Sequence, residues 1–327
     1  MTNSVRINKD SIKDVIKKIF SHREVVTFLG LVLLCVIMAV SSDKFLSYDN
    51  LINIVRQVSI NGILAVGMTF VILTSGIDLS VGSVMAISST VIAAGMVNFG
   101  LPPYIAALLG IAVGGLFGLL SGTLVAYAKM PAIIVTLAMM EIPRGLALVY
   151  TGGYPLSNLP SSFSFIGAGY LFNIIPMPVV VMIVVYFIAY IILNHLPMGR
   201  YIYAIGGNQE AVRLSGIKVK KYTIIPYVIS GLTAGITGLV LTSRLMSGQP
   251  VAGVGFELDA IASVVLGGTD IAGGRGTIVG TLIGVLMMGV LSNGLNLMGV
   301  SPYVQRVFKG LIILLAIYFS SKKKKVA

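Results

Sequence analysis

The sequence predicts an all-α integral membrane protein, a polytopic bundle of about ten transmembrane helices with an internal repeat. Three observations carry that prediction. First, 56% of the 327 residues are hydrophobic and only 10% are charged, against about 25% charged in a soluble domain. Second, apolar runs close to the roughly 20 residues that cross hydrocarbon as a helix recur from end to end. Third, "SGIDLSVGSV" at 75–84 interrupts two such runs and is echoed by "GGTDIAGGRG" at 267–276, as expected of a transporter built from duplicated units. Asp78 matches Asp270 and Gly82 matches Gly274; by the span count the copies lie six helices apart and run parallel.

Before the first span, "NKDSIKDVIKKIF" places Ile12, Val15, Ile16, Ile19 and Phe20 on one helical stripe, with Lys9, Lys13, Lys17 and Lys18 off it. This predicts a cytoplasmic amphipathic segment over 1–24, lying on an anionic membrane surface. The first apolar run, Val25 to Val40, has no small-residue cleavage pattern after it and reads as a retained span. The expected spans are 25–41, 57–75, 80–98, 103–127, 131–150, 174–194, 223–246, 257–272, 277–298 and 302–320. They form a transmembrane domain over 25–320, with a long polar loop at 197–222 and a basic tail at 321–327.

Net charge is +12, which could suggest nucleic acid. The cations instead gather at the N-terminus, in the Arg200–Lys221 loop and at Lys322–Lys325, next to span ends. That distribution fixes orientation in a membrane: both termini and the 197–222 loop face the cytoplasm, and the Lys- and Arg-free 151–173 loop lies outside. The expected location is a bacterial cytoplasmic membrane, crossed many times, with the lipid bilayer and no nucleic acid as partner. Arg306 and Lys309 fall at the outer end of the last span, where they need snorkelling or a partner inside the bundle.

The single cysteine, Cys35, sits inside the first span, so no intrachain disulfide forms. His22 and His195 are isolated, so no metal site is expected. No catalytic cluster is present. Gly268–Gly273 has the glycine spacing of a phosphate loop, but Gly274 and Arg275 stand where Lys and Ser or Thr must follow. The chain is therefore expected to bind no cofactor and not to hydrolyse ATP itself.

Gly114, Gly118 and Gly122 recur every four residues, as do Gly276, Gly280 and Gly284. In lipid, small residues let helices approach closely, so both ladders are expected packing seams. Ser75, Asp78, Ser80 and Asp270 mark the polar breaks: backbone there needs protein or water as partner, because lipid offers none. Asp78 either caps the following helix, with Ser80 as competitor, or lines the transport route. Glu141 and Arg144 lie three apart on one helical face, flanking Pro143. An intramembrane pair of this kind either gates a route or holds a kink.

The stretch "RYIYAIGGNQEAVRLSGIKVKKY" predicts a short helix capped by Asn208, with Glu210 in its first turn and Gly216 at its end. Glu210 and Arg213 should point outward, with Ala211 and Leu214 left for packing.

Four motifs, "AVGMTFVILTSGIDLSVGS", "GRYIYAIGGNQEAVRLSGIKV", "GFELDAIASVVLGGTDIAGGRGTIVGTLIG" and "NGLNLMGVSPYVQ", resemble the membrane permeases of bacterial ABC importers for monosaccharides, the ribose type above all. The resemblance spans nearly the whole chain. It implies that Asn208, Glu210, Ala211, Arg213 and Gly216 form a loop docking on a cytoplasmic ABC ATPase, which uses ATP and Mg. It further implies a second permease copy in a homodimer and an extracytoplasmic ribose-type sugar-binding protein. Glu141 and Asp270 depart from the family's usual pattern, whereas Arg144 keeps it. The expected function is a weakly binding path for D-ribose, another monosaccharide or a furanose-like signal molecule. A secondary carrier using Asp78 and Glu141 as ion sites is the alternative from another class.

Overall fold

The computed structural model describes residues 23–322. The expected amphipathic helix around Ile12–Phe20, and the tail beyond Lys322, lie outside them. Helix α1 (Arg23–Ser41) sits at the periphery, whereas α2 (Tyr48–Leu73) is buried over most of its length. It begins nine residues earlier than expected, through the polar stretch "YDNLINIVRQ". The reason is tertiary: the buried Asn50 side chain donates to Asn293 Oδ1 at 3.0 Å and accepts from Asn293 Nδ2 at 2.7 Å. A reciprocal amide pair keeps two polar side chains satisfied inside an apolar bundle.

After α2 come α3 (Val81–Val97), α4 (Pro103–Ala126) and α5 (Ala132–Thr151). Proline opens α4, where the missing N–H costs nothing. Gly152, in the left-handed region, ends α5. The following loop carries a single helical turn, α6 (Phe165–Ala168), and a two-stranded antiparallel ribbon of β1 (Tyr170–Leu171) and β2 (Ile175–Pro176), in register Tyr170↔Pro176. Then follow α7 (Met177–Asn194), α8 (Pro197–Gly207), α9 (Gln209–Leu214) and α10 (Val219–Leu245). The last three are α11 (Phe256–Leu266), α12 (Ile278–Leu297) and α13 (Pro302–Lys322).

Among the described residues, α1, α2, α4, α5, α7, α10 and α12 are long and apolar enough to cross a bilayer. The expected spans 80–98, 257–272 and 302–320 are not among them, and 257–272 is the furthest from spanning. Its helix α11 has 11 residues and rises only about 16 Å, half of a hydrocarbon core. Gly268, Gly273 and Gly274 adopt positive φ, a conformation that ends a right-handed helix. Helix α3, with 17 residues, is also short.

The centre of the bundle is α2, α3, α10 and α12, each buried over much of its length. Helix α4 runs along α10 with backbones in contact: a Cβ at Gly114 would strike the Gly231 carbonyl, one at Gly118 the Tyr227 carbonyl, and one at Gly122 the backbone of Ile224. Gly280 and Gly284 meet Gly267 and Ser263 of the α11 region in the same way. Gly276 is not part of that seam. It precedes α12, and its α-carbon faces the Thr269 side chain.

Candidate functional site

Two helices begin in the interior of the bundle. Gly238 of α10 packs on Met85 and Ser88 of α3, and Thr242 donates to Ser89 at 2.6 Å. Counting back along both helices, the first turn of α3 lies beside the middle of α10. Likewise Gly284 opposite Ser263 and Gly280 opposite Gly267 place the start of α11 beside the middle of α12. The chain enters α11 through 246–255, which runs down α3 from Gly248, against Ser89 and Ala93, to Gly253, against Gly82. The two inner N-termini meet there: a Cβ at Gly82 would strike the Gly253 carbonyl and lie 2.7 Å from Glu257 Oε2.

Asp78 enters α3 from below. It is 2% exposed. Its Oδ1 accepts from the Ser80 backbone at 3.0 Å and the Ser80 hydroxyl at 2.6 Å, and its Oδ2 accepts from Ser230 Oγ at 2.7 Å. Ser80 is the residue at the N-cap of α3, with no side-chain cap bond. Asp78 therefore closes a turn before the helix and ties it to α10 instead of capping α3. Asp270 does a different job from its counterpart in the echo. Half-exposed, it accepts from Ala272 N at 3.0 Å, and its own N–H donates to the Arg275 carbonyl, bracing its own loop.

The expected pairing of Glu141 with Arg144 is not what the structure contains. Arg144 Nη1 donates to the carbonyls of Pro250 (2.9 Å) and Ala252, while Glu141 is exposed and makes no ion pair among the described residues. The reason is that 246–255 is irregular, so its carbonyls lack ladder partners and accept from the guanidinium. Arg144 thus clamps the segment leading into α11. Lys309 has the partner inside the bundle that its position requires: its Nζ lies 2.8 Å from Asp259 Oδ2 in the first turn of α11. Arg306 stays exposed. Glu257 Oε1 accepts from Gly255 N at 3.0 Å. Glu257 and Asp259 were missed in the sequence, because "GFELDA" reads as the start of an ordinary span, although the cations beside them, Arg144 and Lys309, stood out. The signal present was two acids beside two glycines.

The polar loop folds as expected at its caps. Asn208 Oδ1 accepts from Ala211 N at 3.0 Å, and Gly216, at φ 80°, ends α9. Glu210 and Arg213 are exposed and paired to each other, with Arg213 Nε 2.8 Å from Glu210 Oε2. That hydrogen bond holds the Glu210 carboxyl below its usual range and raises Arg213. The packing residue is Val212, buried against Ile205 and Val219, and not the expected Ala211 and Leu214; Leu214 is 72% exposed. In a helix of six residues only one position per turn can face the bundle, and Val212 takes it. A cavity of about 1070 Å³ opens beside α9, lined by Gly76, Lys129, Glu210, Arg213, Lys218 and Tyr227 among others.

Interrupted helices meeting inside an apolar bundle, with charged side chains held at that depth and a separate exposed loop helix, define a polytopic membrane transport protein. The chain belongs to the family described as branched-chain amino acid transport system / permease component, whose profile matches residues 50–317. It is 49% identical over 298 residues to the ribose import permease protein of Bacillus subtilis (strain 168), covering 90% of this chain and 92% of that one. It is 47% identical to the ribose import permease proteins of Haemophilus influenzae (91% of this chain, 94% of that one) and Escherichia coli (strain K12) (91% and 94%). No solved structure matches the chain.

Proposed function

We propose that this chain is the transmembrane permease of an ATP-driven sugar importer, with D-ribose as its substrate. The observation that carries the reading is the likeness to three ribose import permeases over nine-tenths of the chain. The capped, exposed α9 supports a docking role: Glu210, Arg213 and Leu214 project from a helix fixed at both ends. On this reading α9 is cytoplasmic and seats on an ATPase that binds ATP and Mg, both chain termini lie on that same side, and an extracytoplasmic binding protein delivers the sugar.

The route runs past the inner N-termini of α3 and α11. Glu141 is exposed on the protomer surface, and Arg144 and Glu257 are half-buried beside it, in apolar surroundings where lipid cannot solvate charge. A second copy of the chain, with the route between the two, supplies the missing polar surroundings. A path of glycines and backbone there binds sugar weakly, and weak binding allows fast release. The alternative, an ion-driven carrier using Asp78 and Glu141, loses support because both Asp78 oxygens are already engaged by Ser80 and Ser230.

The test is purification of the complex, identification of its subunits and ATP-driven uptake of labelled ribose in proteoliposomes with competing sugars. Glu210→Ala and Gly216→Val complexes should lose uptake while the chain still inserts and dimerises. Uphill uptake by the chain alone, driven by an ion gradient, would refute the reading.

A further inference from the structure

Three segments far apart in sequence meet through bare backbone on the α9 side of the bundle. The carbonyl of Leu73, the last residue of α2, accepts from Gly274 N at 2.9 Å. The Ser75 hydroxyl lies 2.7 Å from the Ala272 carbonyl and 3.3 Å from the Gly206 carbonyl. Its single proton serves one acceptor at a time. Tyr203 of α8 donates to the Gly276 carbonyl at 2.9 Å.

The fit leaves no room. A Cβ at Gly206 would strike the Leu73 carbonyl and Gly274 N, and one at Gly273 would strike the Ser75 hydroxyl. Ser75 itself holds φ 64°, an uncommon conformation for a residue other than glycine. Here it closes α2, with Ser75 N donating to the Ile72 carbonyl at 2.9 Å and Gly76 N to the Val71 carbonyl at 3.0 Å, and it leaves the hydroxyl directed at the 270–276 loop. The two members of the internal echo thus pack directly on each other, and the end of α8 lies against both.

Connectivity gives the junction its meaning. Gly206 is two residues from Asn208, the cap of α9. Ser75 is three residues from Asp78, which enters α3. The 270–276 loop joins α11 to α12. We propose that this junction transmits the movement of α9 to the transport route, with Ser75 as its positioning residue. A displacement of α9 carries Gly206, the 73–76 turn and the 270–276 loop together, and so moves the entry to α3 and the exit of α11 in one stroke. This rests on the docking role of α9 proposed above.

The test uses the whole complex in proteoliposomes, with ATP hydrolysis and labelled ribose uptake measured on the same vesicles. Ser75→Ala should lower sugar moved per ATP about fivefold, the effect of one lost hydrogen bond on an equilibrium, with hydrolysis and assembly unchanged. Ser75→Gly, which accepts φ 64° without strain but lacks the hydroxyl, should give the same loss. Gly206→Ala should uncouple more severely, because its Cβ meets only backbone. An unchanged ratio in both Ser75 variants overturns the proposal. So does a parallel loss of hydrolysis, uptake and assembled complex, which marks a purely structural contact. If the unmodified complex shows no ATP-driven uptake, the transport reading fails, and the proposal fails with it.

Discussion

Replacing Lys309 or Asp259 should destabilise the protein strongly one at a time, and replacing both should cost less than the sum of the two losses. The pair is 2.8 Å apart, with side chains 25% and 12% exposed. At an effective dielectric of about 20 the gross attraction is roughly 6 kcal/mol. Desolvating the two ions takes back several kcal/mol, so the expected coupling is about 2 kcal/mol. Each single change should cost about 3 kcal/mol, most of it the penalty of an uncompensated charge. The two are unequal. After Lys309→Met, Asp259 still sits in the first turn of α11, where the helix dipole favours an anion. After Asp259→Asn, Lys309 has no such support, so this variant should be the worse. The assay is thermal unfolding of the detergent-solubilised permease for both single variants and the pair, closed as a double-mutant cycle. Additive losses, or Lys309→Met as the more damaging change, would show that the ion pair does not anchor α11.

Arg144→Met should cut uptake more than tenfold, since its two charged hydrogen bonds are worth about 1.5–3 kcal/mol each; Glu141→Gln should leave uptake near normal. Equal losses in the two variants would restore the pairing that the sequence suggested. Gly118→Val should lower the unfolding midpoint through about 1–3 kcal/mol of overpacking against α10, and a midpoint unchanged from the parent would contradict the backbone contact. Glu210 should titrate below its ordinary value of 4.5 because Arg213 hydrogen-bonds its carboxylate. A depressed carboxyl stabilises the folded state above its unfolded value and loses that contribution as pH falls through the folded one. Carbon NMR of labelled glutamate in nanodiscs reads this directly, and titration at or above the ordinary value counts against the pair.

The class of the fold was legible because hydropathy and length alone determine where helices can cross lipid. Caps were legible too: Asn208 and Gly216 act through their own neighbours in sequence, and the structure keeps both. What sequence could not show was depth. Nothing local distinguishes α11 from a full span; its shortness comes from glycines after it and from the packing of 246–255 on α3. Partner choice failed for the same reason. Arg144 is three residues from Glu141, but the carbonyls that win it are more than 100 residues away. The Ser75 junction likewise joins residues 131 and 197 positions apart.

The stretch from Ser247 to Gly255 has no helical ladder of its own, and that sets where the molecule can change shape at small cost. Bending a regular helix in a lipid setting means breaking amide bonds that no solvent will replace. A segment already held by scattered side-chain donors can exchange one acceptor for another instead. The stiffness of this stretch can therefore be tuned by trading single donors such as Arg144 without rebuilding any span.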